Sequence, residues 1–282
     1  MKPAQFAYVK ARSLDDAITL LGRHGEGARL LAGGQSLIAT LNMRLSAPRI
    51  LIDINGISGL DGIARKNGSL EIGALVRQAA AERSGDIARH APLIAAALPH
   101  IGHVATRNRG TIGGSIAFAD PAAELPACLV ALGGEIEIAA ANGKRSVKAD
   151  DFFKGLYETA LGAGDIVTAI NVPAATEESR YGFAELARRL GDYAIVGLAA
   201  SARAAGLHLT DVRLAFFGVG LAALRAKKAE AALAGGDIEA AVKSLDAALD
   251  PPDDIQEKRS VKKHLAGVLL RRVAAQLVEP RQ

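Results

Sequence analysis

Thr106-Arg107-Asn108-Arg109-Gly110-Thr111-Ile112-Gly113-Gly114-Ser115-Ile116-Ala117-Phe118-Ala119-Asp120-Pro121 is the stretch on which the reading of this chain turns. Three glycines, three hydroxyls and two arginines share it. Glycine lets a ligand or a second backbone come close, and successive free N–H groups form a concavity suited to an anion. Upstream, Leu31-Ala32-Gly33-Gly34-Gln35-Ser36-Leu37-Ile38 follows the same order: paired glycines, a polar or hydroxyl residue, then apolar residues. Two such segments can clamp one long ligand with a phosphate-rich middle and a flat end. Neither is GxGxxG nor a phosphate loop ending in GK[ST], so an ordinary nicotinamide Rossmann domain and a nucleotide hydrolase are poorly supported.

The chain has 282 residues, enough for two or three compact units. Half of it is apolar and 23% is charged, the balance of a globular protein with a real core. Aromatics are sparse, with no Trp, 4 Tyr and 7 Phe, so the core is expected to be Ala, Leu, Ile and Val. The net charge of +4 is spread among acidic neighbours, and no basic stripe carries aromatic platforms, which argues against nucleic-acid binding. Cys128 is the single cysteine. It excludes an internal disulfide framework, a Cys₄ zinc site and an iron–sulfur cluster held by this chain alone. No apolar run reaches transmembrane length and the N-terminus has no cleavable leader pattern, so a cytoplasmic protein is expected.

The pattern predicts three units. Residues 1–57 read as strand, helix, strand, glycine segment, helix and strand. Ser13 caps the first helix, Asp15 and Asp16 sit in its first turn, and Ile50-Leu51-Ile52-Asp53-Ile54 is a buried strand. Residues 58–175 contain strands over 60–63 and 69–72, helices over 76–83 and 87–98, and a link over 101–105 into the central glycine segment. A helix capped by Asp120 then runs through Leu132, strands follow over 135–139 and 144–147, a helical turn over 150–153, and a strand over 165–172. Residues 176–282 predict three antiparallel strands, including Tyr181–Ala187 and Val212–Phe217, then helices over 221–234, 238–249 and 262–277. The fold class is therefore α+β: two α/β subdomains followed by an α+β domain with a three-stranded antiparallel sheet and three helices.

Several side chains have two readings. Ser36 and Thr111 are placed to donate to phosphate oxygens, with both glycine segments supplying N–H groups. Arg107 and Arg109 either face a diphosphate or partner protein, or pair with Asp120 or Glu124. Asp120 either caps its helix or accepts from a sugar hydroxyl. Tyr193, after Gly191-Asp192, either covers a flat ring or packs in the core, with Glu185 and Arg188 in the same neighbourhood. His100 and His103 lack the companions of a metal site, and Cys128 reads as a small buried hydrophobe. No serine triad or acidic pair offers acid–base or nucleophilic catalysis. A cofactor performing the electron chemistry accounts for that.

The segments Ala32–Leu37 and Arg107–Ser115 resemble the flavin-binding medium subunit of molybdenum hydroxylases, in particular the carbon monoxide dehydrogenase type. Residues 119–127, 181–189 and 264–269 extend the resemblance over nearly the whole chain. Just before His264 the family often carries Ser-Ala-x-Tyr; Lys258-Arg259-Ser260-Val261 here lacks the aromatic, and the basic run reads as a solvated helix start or a partner contact. The resemblance implies an FAD-binding fold of the vanillyl-alcohol-oxidase (PCMH) type. It implies that Ala32, Gly33, Gly34, Gln35, Ser36, Leu37, Gly110, Thr111, Gly113, Gly114 and Ser115 wrap the FAD diphosphate. Asp120 would then lie near the sugar-like part and Tyr193 near the isoalloxazine. It also implies a large partner carrying a molybdenum cofactor and a small partner with two [2Fe–2S] clusters, assembled as a dimer of heterotrimers. Two other readings compete: a self-sufficient FAD oxidoreductase of the same fold, and a scaffold without flavin.

Overall fold

A computed structural model describes residues 2–206, 208–255 and 257–278. The first sheet is three-stranded and parallel. Strands β1 (Ala7–Lys10), β2 (Ala28–Leu31) and β3 (Ile50–Asp53) lie in the order β1-β3-β2. Helix α1 (Leu14–His24) crosses between β1 and β2, and the Ser13 hydroxyl accepts from the Asp16 N–H at its start. All four residues of β3 are buried, as expected of a strand paired on both edges. Helix α2 (Leu37–Asn42) follows the first glycine segment.

The second sheet has the order β4-β5-β10-β6-β7, from β4 (Ile63–Lys66), β5 (Ser69–Gly73), β6 (Glu135–Ala140), β7 (Gly143–Lys148) and β10 (Ile166–Pro173). Strand β10 is the axis, antiparallel to both β5 and β6. Between β5 and β6 run six helices: α3 (Gln78–Glu82), α4 (Gly85–His90), α5 (Pro92–Ala97), α6 (Val104–Arg109), α7 (Ile112–Phe118) and α8 (Glu124–Leu132). After β7 come α9 (Ala149–Phe152) and a small hairpin of β8 (Phe153–Gly155) and β9 (Glu158–Thr159).

The third sheet is an antiparallel meander of β11 (Ser179–Leu186), β12 (Val196–Ala205), β13 (His208–Phe217) and the two-residue β14 (Leu224–Arg225). Helices α10 (Lys227–Ala234), α11 (Ile238–Ala248) and α12 (Arg259–Val278) complete it, with α12 packed across β11 and β12. Helix α8 is buried along all nine residues, and apolar after Glu124, because it packs on α5 and β10 and also on β12 and β13. Phe183, Ala199, Ala215 and Phe217 therefore belong to the same core as Ile136, Ile138 and Ile170. Arg213 of β13 fastens the joint: it donates to the Val130 carbonyl at 2.7 Å and pairs with Asp150 at 2.7 Å. A cation at the carbonyl end of α8 is electrostatically favoured.

The architecture is the expected one except that the C-terminal sheet has four strands rather than three, because Leu224 and Arg225 add to the edge of β13; the other local differences also have physical causes. The expected helix over 87–98 is two helices, because Pro92 cannot donate to the turn before it and opens a new helix instead. The expected link over 101–105 leads into α6, which ends at Gly110. Asp120 does not cap α8, whose N-cap is Ala123. Ala119 takes a left-handed conformation (φ 52°, ψ 45°) at the end of α7, and Asp120 instead holds the following turn by accepting from the Ala122 N–H at 2.9 Å. The expected helix over 221–234 begins only at Lys227, since Leu224 and Arg225 pair with β13. The first strand of the second sheet starts at Ile63 rather than Leu60, whose carbonyl instead accepts from the Leu75 N–H.

Candidate flavin site

The two glycine segments touch. A Cβ placed on Gly33 would lie 2.6 Å from the Arg109 carbonyl oxygen and 2.8 Å from the Gly110 Cα, closer than real carbon atoms approach. Gly34, at φ 74°, then turns the chain into α2. Leu31, Gly33, Gly34, Gln35, Ile38, Ala39, Asn42 and Arg109 line a cleft of about 520 Å³, a size usual for small-molecule sites.

The segments differ in what they offer. In the first, Ser36 precedes α2 without using its hydroxyl as a cap, and Gln35 is exposed with its Nε2 donating to the Gly33 carbonyl at 3.2 Å. The N–H groups at the start of a helix have no carbonyl one turn ahead, and Ser36 and Leu37 stand at that start, next to the cleft residues Gln35 and Ile38. The second segment is not the open loop expected: it is the first turn of α7. Ile112 N–H donates to the Val76 carbonyl at 3.0 Å, Gly113 N–H to the Ala74 carbonyl at 2.9 Å, and Gly114 N–H to the Thr111 hydroxyl at 3.1 Å. The expectation that both segments supply free N–H groups is thus corrected for these three. Gly110, Thr111 and Gly113 are buried, while Gly114 and Ser115 remain partly accessible. A Cβ on Gly113 would lie 2.4 Å from that of Ala74, so this glycine lets α7 approach β5 and Ala74.

A polar network that the sequence did not disclose ties the segments together. The Asn55 Nδ2 donates to the carbonyls of Leu31 (3.2 Å) and Ala32 (2.9 Å) and to Asp53 Oδ1 (2.7 Å). Its Oδ1 accepts from Arg77 Nη2 at 2.6 Å, and Arg77 Nη1 donates to the Arg109 carbonyl. Tyr8 donates to Asp53 Oδ2 at 2.5 Å. Burial pushes the Asp53 carboxyl up, but the bonds from Tyr8 and Asn55 outweigh it and hold the carboxyl below its ordinary range. Gln78 is buried against Gly110, with its N–H on the Gly110 carbonyl and its Oε1 meeting no donor. Isolated Asn, Arg and Gln side chains carry no periodic signal. Only the Asp53-Ile54-Asn55 turn after a buried strand could have pointed to one of them.

The two arginines of the central segment part company. Arg107 is buried, pairs with Glu82 at 2.8 Å and donates to the carbonyls of Ile101 and Gly102 at 3.1 Å each. The expected pairing with Asp120 or Glu124 is therefore replaced by Glu82, which α3 brings beside α6. Arg109 is exposed and lines the cleft. Beyond α7, Tyr157 donates to Asp120 Oδ2 at 3.5 Å and its ring lies 5.0 Å from that of Phe118. Burial raises the Asp120 carboxyl above its ordinary value. Tyr193 is not a core residue: it is 62% exposed, and burial of its neighbourhood together with the charges of Asp120 and Glu124 raises its phenol. Asp120, Tyr157 and Tyr193 are thus grouped beyond the C-terminal end of α7. Glu185 lies beside His100, whereas Arg188 donates to the Ile255 carbonyl at 3.1 Å. Cys128 is fully buried.

Lys262, in the basic run before His264, is buried and bonds Asp254 and the Gly218 carbonyl, so the run is not wholly solvated. Among the described residues no three His, Cys, Asp or Glu side chains gather as metal ligands, and no helix is long and apolar enough to cross a membrane.

Residues 4–175 match the family of the FAD binding domain in molybdopterin dehydrogenase, and residues 181–277 the CO dehydrogenase flavoprotein C-terminal domain. The chain is 35% identical to the nicotine 6-hydroxylase medium subunit of Paenarthrobacter nicotinovorans, over 96% of this chain and 97% of that one. It is also 35% identical to the carbon monoxide dehydrogenase medium chain of Hydrogenophaga pseudoflava, over 96% of each. A chain in the structure of carbon monoxide dehydrogenase from that organism, lacking the Mo-pyranopterin moiety of the molybdenum cofactor, superposes with a TM-score of 0.96 over 98% of both chains, at 35% identity. Two touching glycine segments in an FAD-binding domain, joined to a flavoprotein C-terminal domain, place this chain in the family of FAD-binding medium subunits of molybdenum hydroxylases, the electron-transfer flavoproteins of those complexes.

Proposed function

We propose that this chain holds FAD across the contact of its two glycine segments and exchanges electrons between iron–sulfur clusters of a partner and an external acceptor. FAD supplies the redox chemistry, since it accepts electrons singly and in pairs. In this reading Ala32, Gly33, Gly34, Gln35, Ser36 and Leu37 meet the diphosphate through backbone N–H groups and the Ser36 hydroxyl, and Arg109 adds positive charge at the cleft. Gly110, Thr111, Gly113 and Gly114 keep the second segment thin enough to close on the first, and Ser115 offers its hydroxyl. Asp120 bonds a ribityl hydroxyl, and Tyr193 covers the isoalloxazine. The observation that carries the proposal is the backbone contact at Gly33 and Gly110, which turns two distant segments into one cradle.

The same reading gives the complex a large subunit with the molybdenum cofactor and a small subunit with two [2Fe–2S] clusters, in a dimer of heterotrimers in the cytoplasm. The units over 1–57, 58–175 and 176–282 are proposed as two flavin-binding subdomains and a C-terminal domain. The substrate belongs to the large subunit: relatives named for nicotine and for carbon monoxide are equally similar to this chain at 35% identity. Equilibrium titration of the full chain with FAD tests the first part, with stoichiometric uptake and a flavin spectrum expected. Co-purification of molybdenum and iron tests the second. A chain that takes up flavin but never associates with a metal-bearing partner would favour a self-sufficient oxidoreductase.

A further inference from the structure

The start of α8 carries a buried titratable cluster that flavin binding leaves unused. Glu124 is 8% exposed. Glu185 reaches the same pocket from β11, with its side chain 5% exposed. Its Oε1 lies 3.6 Å from His100 Nδ1, while its Oε2 is buried with no hydrogen-bond partner. His100 closes the helical turn after α5, and its ring lies 5.0 Å from Phe183, which stacks on Phe217 at 5.9 Å. Both carboxyls are thus nearly cut off from solvent, whereas the His100 side chain is 35% exposed. Asp120 and Tyr193 are within electrostatic reach of Glu124, with Tyr157 bonded to Asp120; the thiol of Cys128, which donates to the Leu93 carbonyl at 3.8 Å, feels the charge of both glutamates.

Two nearly buried carboxyls within electrostatic reach of each other cannot both ionise cheaply. Burial, with Glu185 adding to it, pushes Glu124 up to about 8. The bond to Glu185 raises His100 above its ordinary value, although burial opposes it. Glu124 therefore exchanges its proton in the mildly alkaline range, within electrostatic reach of Tyr193.

We infer that Glu124, Glu185 and His100 act as a proton-accepting cluster that takes up a proton when the flavin is reduced and releases it on reoxidation. The inference rests on the proposed position of the isoalloxazine at Tyr193. Electrons arriving from an iron–sulfur partner bring no protons. Reduction of a bound flavin by two electrons with uptake of one proton would leave it with one more negative charge than before. A second proton, drawn from solvent, then binds the cluster, because the added charge acts through a medium of low dielectric. Reoxidation passes two electrons to the acceptor and returns both protons to solvent. No bond forms between the cluster and the flavin, so these are positioning residues for charge rather than catalytic ones.

The pH dependence of the flavin midpoint potential, read by spectroelectrochemistry on the FAD-loaded full chain from pH 6 to 10, counts protons per two electrons. The native chain is expected to take up more than one proton per flavin between about pH 7 and 9, the range set by the Glu124 value of about 8. Glu124→Gln, neutral at every pH, is expected to fall to the count of the flavin alone, and Glu185→Gln to displace the window. FAD titration of each variant is read separately. Equal proton counts in native and variant chains with flavin fully bound would overturn the inference. So would loss of flavin binding in both variants, because the cluster would then be structural. A native chain that binds no FAD would overturn the functional proposal itself, and this inference with it.

Discussion

The backbone of Gly33 lies against the carbonyl of Arg109 with no room for a methyl group between them. Gly33→Ala puts a Cβ 2.6 Å from that oxygen and 2.8 Å from the Gly110 Cα, and backbone cannot swing aside as a side chain can. Overpacking of this kind costs about 1–3 kcal/mol. Gly33→Ala is expected to lower the melting temperature and weaken FAD binding at least tenfold, read by thermal melts and flavin titration. Gly22→Ala is the control: it lies within α1 with open space around it, and should stabilise by about 0.5–1 kcal/mol.

Asn55 joins the first glycine segment to Arg77 and, through it, to the second. Asn55→Ala strips partners from Asp53, Arg77 and two carbonyls at once. Leaving such groups unsatisfied costs about 1–3 kcal/mol each before relaxation. The expected outcome is a loss of roughly 2–3 kcal/mol in denaturant unfolding together with weaker flavin binding. A variant that keeps full stability would show that the network is dispensable.

Arg107 and Arg109, two residues apart, should behave oppositely. Arg107→Met leaves Glu82 and several carbonyls without their cation, at a cost of about 3 kcal/mol, since breaking a buried pair is expensive and Glu82 keeps some solvent. Arg109→Ala removes an exposed side chain and should leave stability within about 0.5 kcal/mol. Its FAD affinity should fall and depend less on salt. Tyr193→Ala, also exposed, should likewise keep its melting temperature while altering the bound flavin spectrum.

Stability should respond to pH through two carboxyls with opposite signs. The folded value of Glu124 is raised from 4.5 to about 8. Its contribution is fully present below about pH 4.5 and declines as pH rises towards 8, where the native chain holds a proton that the unfolded chain has lost. The slope is at most about 1.4 kcal/mol per pH unit. Asp53 is held below its ordinary value, so its contribution is present above about pH 4 and is lost as pH falls through the folded value. Unfolding curves from pH 3 to 9 should show both limbs. Glu124→Gln should flatten the alkaline limb alone, and Tyr8→Phe should weaken Asp53's grip on its proton-free form in the acid limb alone.

Alternation and apolar runs determined most of the fold. Residues 50–54 read as a buried strand, Ser13 as a cap and 181–217 as an antiparallel sheet, because backbone hydrogen bonding and burial follow from near neighbours in sequence. The paired glycines likewise marked two segments that come into contact. Tertiary structure decided what those neighbours could not: that the second segment is a helix start whose N–H groups are already bonded, that Arg107 faces Glu82, and that Tyr193 is exposed. It also brought Asn55 to Arg77, and Glu124 to Glu185 and His100, from elements far apart along the chain. Single polar residues have no period to betray them; their partners are chosen by the packing of whole helices and sheets, and so is the charge they carry.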